Sequence, residues 1–256
     1  MTETAGGRFG GRVAVVTGAG SGLGRAAARR LVDEGAEVLL LDRDVASVQE
    51  AASELAGASA YELDVSDARA VAATFDAIVE RYGRIDALVN NAGVVGEQRP
   101  VHRTTDEMWS SVMRVNADGA FYVLRAALGV MVAAGSGSVV NMSSSSGLSG
   151  KPHLAPYGFS KAGIVGLTRT AAVEYAAANI RVNAVAPSAV RTPLVEAHIR
   201  AAPDPDAMER QMESQSPMPG MGTPEDVAAV IAFLLSDDAA RITGLTVPVD
   251  GGYHAT

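Results

Sequence analysis

The 256-residue chain contains no cysteine. That absence excludes disulfides, thiolate metal sites and cysteine nucleophiles. It also lacks any cluster of basic residues, and its formal net charge is −8. Nucleic acid and anionic membrane surfaces are therefore poor partners for it. The four histidines, at 102, 153, 198 and 254, show no ligand spacing, so no metal site is expected. No uninterrupted apolar run reaches the roughly 20 residues that span a bilayer. The longest candidate, 117–135, is interrupted by Asp118 and Arg125 and reads as a core-facing helix. The opening "MTETAGGRFGG" has neither the basic start nor the apolar centre of a signal peptide. The expectation is a soluble cytoplasmic protein with no membrane or nucleic-acid partner.

What is present is an ordinary globular composition, 48% apolar and 20% charged. Short β-branched runs alternate with alanine-rich stretches. The runs are "RVAVVT" (12–17), "EVLLLD" (37–42), "ASAYELD" (58–64), "IDALVNN" (85–91), "GSVVNMS" (137–143), "IRVNAVAP" (180–187) and "LTVPVDGG" (245–252). They are nearly continuous in hydrophobicity, as strands buried on both faces are. Between them lie helical patterns with start and stop signals. One ends at Gly35, one starts at Ser66 as N-cap and closes at Gly83, and one opens with Thr223 as cap and Pro224 at its first position. Strand and helix in alternation predict a Rossmann-like, doubly wound α/β fold. The expected sheet is seven-stranded and mostly parallel, with helices on both faces. Residues 1–11 are expected to be a flexible tail and 12–256 a single domain. Within it, 188–222 is rich in proline and methionine. It reads as a substrate-binding loop or lid, or as a pair of helices.

The turn "TGAGSGLGRA" follows the first strand and opens the first helix. Gly18, Gly20, Gly22 and Gly24 allow backbone N–H groups at a helix N-terminus to approach a pyrophosphate, with Ser21 and Leu23 in the same turn. Asp42 ends the second strand, where a carboxylate accepts from an adenosine ribose and repels the 2′-phosphate of NADP. Arg43 pulls the other way, since a guanidinium pairs with phosphate. Asp42 is weighed more heavily, which gives NAD over NADP. Asp64 and Val65 end the third strand, where Asp64 meets adenine. "NNAG", with Asn91, Ala92 and Gly93, ends the fourth strand at the same edge of the sheet. Asn90 is read as partly structural, bridging strand ends.

Together with "YGFSK" (157–161), these motifs closely resemble the short-chain dehydrogenase/reductase family in its form of about 250 residues, over nearly the whole chain. The resemblance implies a homotetramer that interconverts a secondary alcohol and a ketone with a nicotinamide cofactor. It implies Asn116, Ser144, Tyr157 and Lys161 as catalytic residues. Ser144 is selected from the run Ser143–Ser146 because it lies thirteen residues before Tyr157. The resemblance also implies that Lys161 binds the nicotinamide ribose and that Asn116 holds a water in a proton relay. Pro187, Val190 and Thr192 would complete the cofactor site. Ser188 stands where the family has glycine, which puts the local loop path in question. The pair has a physical rationale of its own. Residues four apart on a helix share a face, and an ammonium favours a phenolate beside it. Val94, Ser146, His153 and Leu194 are substrate candidates, with His153 alternatively a surface residue. Methionines and apolar residues around them suggest an apolar substrate. The rival readings are an NADP-dependent 3-oxoacyl-[acyl-carrier-protein] reductase and a non-catalytic nucleotide-binding regulator.

Overall fold

A computed structural model describes residues 7–200 and 202–255. Among them seven strands form one sheet: β1 (Val13–Thr17), β2 (Glu37–Asp42), β3 (Ala58–Glu62), β4 (Ala87–Asn90), β5 (Gly137–Met142), β6 (Ile180–Pro187) and β7 (Thr246–Val249). Their order is β3-β2-β1-β4-β5-β6-β7, and every adjacent pair is parallel. The sheet is thus fully rather than mostly parallel, and each strand is a residue or more shorter than its apolar run except β2 and β6. Alternate residues of the central strands feed opposite cores, as the two-residue strand period requires. Ala14, Val16, Val38 and Leu40 face one core, and Val13, Val15, Leu39 and Leu41 the other.

The first core is covered by α1 (Gly22–Asp33) and α9 (Pro224–Leu235) through Leu31, Val227 and Ile231, with α2 (Val45–Ser53) at its edge. The second is covered by α3 (Ala68–Tyr82), α5 (Ala120–Ala134) and α6 (Ala155–Tyr175) through Ile78, Leu124 and Ala171. Helix α4 (Asp106–Met113) continues through a π-helical turn, Arg114–Gly119, into α5. The resulting run, Asp106–Ala134, is the one stretch among the described residues long and apolar enough to cross a membrane. Its inner face is buried in the fold at Val123, Leu124, Ala127 and Met131.

The helix ends follow the expected chemistry, with one correction. Thr223 and Asp226 form a reciprocal capping box at the start of α9, and Gly35 follows α1 at φ 95°. Helix α3, however, is capped by Asp67 rather than Ser66. The Asp67 carboxylate accepts from the N–H groups of Arg69 and Ala70 at 2.8 and 3.1 Å, while Ser66 donates to Asp64 at 2.7 Å. The N-terminal expectation also changes. Residues 1–6 lie outside the described residues, but Phe9 is fully buried and Arg8 pairs with Glu34 at 2.6 Å. The segment 188–222 contains two helices, α7 (Pro193–Arg200) and α8 (Pro205–Glu213).

Candidate active site

The strand order reverses between β1 and β4, and ligands in open parallel sheets bind outside the carboxyl ends at such a switch point. A cavity of about 410 Å³ opens there. At one end it is lined by Gly18, Ser21, Gly22, Leu23, Asp42, Arg43, Asp64 and Val65, and at the other by Tyr157, Lys161, Thr192 and Leu194. Asn91, Ala92, Gly93 and Val94 line its floor. Helix α1 points its N-terminus into this space, and Ser21, its N-cap, makes no side-chain cap bond. The first N–H groups of the helix are thus left for a ligand oxygen. Close backbone approach explains two glycines. A Cβ on Gly18 would lie 2.9 Å from Ala92 Cα, and one on Gly24 would lie 2.1 Å from Gly18 O. Gly24 lies under the turn and does not line the cavity.

Several carboxylates and amides near the cavity hold its walls. Asp42 accepts from the N–H of Gly20 at 3.0 Å and of Asp44 at 3.1 Å, so its charge is fixed beside the turn. Arg43 is exposed on the same rim. Asp64 accepts from the hydroxyl and N–H of Ser66, which hold its carboxyl below the usual range. The Asn91 side chain donates to Thr17 O at 2.9 Å and Gly18 O at 3.2 Å. Thr17, fully buried, accepts in turn from the N–H groups of Asn91 and Ala92. Asn90 bridges strands as expected, donating to Ala120 O at 2.9 Å and Asn141 Oδ1 at 3.1 Å. Thr17–Gly18 and Asn91–Ala92 therefore form one clamp between the ends of β1 and β4, while Asn90 ties β4 to β5 and α5.

At the other end, Lys161 is 4% exposed, and its ammonium donates to Met142 O at 2.8 Å. Burial pulls its pKa down to about 8. Its Nζ is 5.7 Å from the Tyr157 ring centroid. Burial pushes the Tyr157 phenol up, opposed by a hydrogen bond from the Ser144 hydroxyl. Among this chain's own groups, desolvation therefore outweighs Ser144, and the expected lowering by Lys161 is not seen. Ser144 follows the end of β5 and also accepts from Ser146 N–H at 3.2 Å. Ser143 points elsewhere, with its hydroxyl donating to Lys161 O at 2.9 Å. Asn116 sits in the π-helical turn, a local widening often found at functional sites. Its amide accepts from Val94 N–H and donates to Val94 O, both at 2.8 Å, and donates to Ser160 Oγ at 3.1 Å. Ser160 Oγ donates to Tyr157 O at 2.7 Å.

The remaining candidates divide. Thr192 and Leu194 border the cavity. Pro187 and Val190 are buried behind it, with Val190 bridged to Gly222. Ser146 and His153 do not line it. Ser146 is turned into a 3₁₀ turn, Ser145–Gly147. His153 is exposed at φ 67°, its carbonyl bound to Arg99 N–H. Ser188 has no positive φ. Its hydroxyl lies 3.4 Å from Asp250 O, so serine replaces glycine there without strain. The sequence reading did not single out Thr17 as a clamp, Ser160 as the partner of Asn116, or the Met142 carbonyl that holds Lys161. The first two lie inside the motifs themselves, whereas a backbone carbonyl leaves no sequence signal.

Residues 18–254 match the family described as enoyl-(acyl carrier protein) reductase. Levodione reductase of Leifsonia aquatica is 42% identical over 258 residues, covering 97% of this chain and 96% of that protein. The 3-oxoacyl-[acyl-carrier-protein] reductase FabG of Thermotoga maritima is 38% identical over 249 residues, covering 96% and 98%. Cis-4-hydroxycyclohexanecarboxylate dehydrogenase of Sinomonas cyclohexanicum is 41% identical over 255 residues, also covering 96% and 98%. The crystal structure of NAD+-bound xylitol dehydrogenase superposes with a TM-score of 0.91 at 36% identity, covering 95% of this chain and 99% of that one. The chain belongs to the short-chain dehydrogenase/reductase family. It is an NAD(P)-dependent oxidoreductase acting on CH–OH groups.

Proposed function

We propose that the protein interconverts an alicyclic secondary alcohol and its ketone, uses NAD in preference to NADP, and employs Tyr157 as the acid–base. The observation that carries this reading is that Tyr157, with the Ser144 hydroxyl beside its phenol, and buried Lys161 line one end of the cavity and Asp42 the other. A nicotinamide held beside Tyr157, Lys161 and Thr192 would supply the hydride acceptor for the carbinol carbon and, when oxidised, a positive charge near the phenol. Tyr157 Oη removes the alcohol proton in that direction and returns it in reduction. The Ser144 hydroxyl, already beside the phenol, donates to the substrate oxygen, a bond that strengthens as negative charge develops there. Lys161 supplies a desolvated charge beneath the phenol and a donor for the nicotinamide ribose. Asn116 holds the Val94 backbone and, through Ser160, the first turn of α6. Gly18, Ser21, Gly22, Leu23, Asp64, Val65, Asn91, Ala92 and Gly93 surround the remainder of the dinucleotide, with Thr192 at its nicotinamide end.

The fixed charge of Asp42 supports NAD. A carboxylate facing a 2′-phosphate disfavours NADP by about 1–3 kcal/mol, or roughly 5- to 150-fold. The substrate class rests on two relatives whose names denote action on levodione and on a hydroxycyclohexane carboxylate, together with Val94 and Leu194 at the cavity mouth. The likeness to FabG keeps an acyl-thioester substrate as the second reading. A panel of cyclohexanols, open-chain alcohols, polyols and 3-oxoacyl thioesters, each with NAD and NADP, distinguishes them. Preferred turnover of the thioester with NADPH sinks the first reading. Assembly as a homotetramer in the cytoplasm is part of the proposal. The assembly is supported by the exposed apolar residues Trp109, Phe121, Phe159 and Val173 on α4, α5 and α6, and is tested by sedimentation.

A further inference from the structure

The segment 188–222 that borders the cavity has little apolar anchoring of its own. Helix α8 buries no residue, and α7 buries Ile199 alone. Segments with few buried contacts open locally at low cost, so polar ties decide where this one rests. On its returning limb those ties form a closed ring with the last turn of the chain. Ser216 Oγ donates to Asp250 O at 2.6 Å, and the Met218 N–H to Gly251 O at 3.0 Å. The Asp250 carboxylate lies 2.6 Å from His254 Nδ1 and accepts from the His254 N–H at 3.1 Å. The His254 ring meets Tyr253 edge-on, centroids 4.9 Å apart. Lys151 Nζ lies 4.2 Å from the Tyr253 ring centroid and donates to Gln215 Oε1 at 3.3 Å. Gln215 adjoins Ser216, and the ring closes. Lys151 stands on the loop that follows β5 and carries Ser144. The ring therefore joins the serine loop, the lid and the C-terminal turn, and none of its six residues lines the cofactor cavity.

We propose that this ring is a latch: Lys151, Gln215, Ser216, Asp250, Tyr253 and His254 are positioning residues that hold the lid against the serine loop and so set the affinity for the alcohol. The kinetic part of its test rests on the oxidoreductase reading, whereas the proteolytic part does not. Helix α8 carries an exposed tryptic site after Arg210, and cleavage of a native segment reports how often it opens. In the full-length protein, Lys151→Met removes the cation over the ring and the bond to Gln215. Initial cleavage at Arg210 should rise about tenfold, as should KM for the alcohol. The kcat, the KM for NAD and the Tm should stay close to wild type. Lys151→Arg should restore both readouts, because a guanidinium stacks on the same ring. Gln215→Ala, which loses one hydrogen bond, should move both in the same direction by about threefold, and it carries the comparison if Lys151→Met fails to fold. Unchanged cleavage at Arg210 in the variants overturns the latch, as does a fall in Tm that Lys151→Arg does not rescue. Wild-type protein that turns over no alcohol, with cleavage responding as stated, refutes the functional reading and leaves the latch standing.

Discussion

Replacing Ser143 and Ser144 singly by alanine separates two adjacent buried hydroxyls that the structure sends in different directions. Ser143 Oγ donates to the carbonyl of Lys161 at 2.9 Å, within α6. Its loss removes one buried bond to a carbonyl inside a helix. The expected cost is about 0.5–1.5 kcal/mol of stability, which for a chain of this size lowers Tm by roughly 1–6 °C. Turnover should remain within about tenfold. Ser144 is the hydroxyl beside the Tyr157 phenol. Its other side-chain bond is accepted from Ser146 N–H, and the residue stands at the second position past the strand, so Ser144→Ala leaves the sheet intact. Losing a donor to a developing oxyanion typically costs a factor of about 100–1,000 in kcat. The assay is steady-state NADH formation with one cyclic alcohol, run beside a thermal melt for each variant. Ser144→Ala should be slow and stable, with KM for NAD little changed, and Ser143→Ala should be active and less stable. Ser145→Ala should also stay within about tenfold, because that residue serves the 3₁₀ turn. A dead Ser143→Ala, or a Ser144→Ala variant near wild-type rate, refutes the strand-end geometry on which the reading depends.

Asp42→Asn removes the charge while leaving an oxygen to accept from Gly20 N–H, so NADP should gain about tenfold in kcat/KM relative to NAD; an unchanged ratio would mean that Arg43 sets the preference. Lys161 titrates at about 8 in the folded protein, against 10.5 for an unburied lysine. Between those values the unfolded chain holds more protons, so stability rises with pH, by up to about 3 kcal/mol over the window. Urea unfolding at pH 7.5 and 9.5 should show this rise in the wild type and its loss in Lys161→Met; equal slopes would place the lysine in water. The Tyr157 phenol is raised by burial, so its own contribution to stability is lost only as pH rises above the ordinary tyrosine value of 10.0, beyond the two pH values compared. With the phenol as the proposed base, alcohol oxidation should accelerate from neutral to alkaline pH, and a flat profile would mean that another group takes the proton.

The strands were legible because a parallel sheet buries both faces of each strand, leaving runs such as "VAVVT" without alternation. The cofactor turn was legible because close packing of Gly18 on Ala92 and of Gly24 on Gly18 tolerates no side chain. Other features had no such signature. Ser66 and Asp67 both carry capping side chains, and the choice between them was made by Asp64, which takes the serine. Phe9 stands alone in a glycine-rich segment, so no periodicity announced its burial. The π-helical turn at Asn116 adds one residue to a helix whose composition looks continuous, and it was invisible in "NADGAF". Ser146 and His153 are near Ser144 and Tyr157 in sequence, but the 3₁₀ turn and the left-handed backbone at His153 leave them outside the cavity lining. The latch was out of reach of sequence reasoning, because it joins Lys151, Gln215 and Tyr253 through contacts across three separate segments.

Tyr157 is proposed to move the proton of a secondary alcohol in a site that binds the dinucleotide independently of that hydroxyl. Tyr157→Phe deletes one oxygen from a residue packed in α6 and leaves the glycine turn, Asp42 and Lys161 in place. NAD affinity, read by fluorescence or calorimetry, and cyclohexanol oxidation at saturating NAD should be measured on the same preparation. NAD binding within about threefold of wild type, with turnover reduced by about 100-fold or more, is the predicted result. A variant that keeps more than a few per cent of the wild-type rate while binding NAD normally contradicts the account.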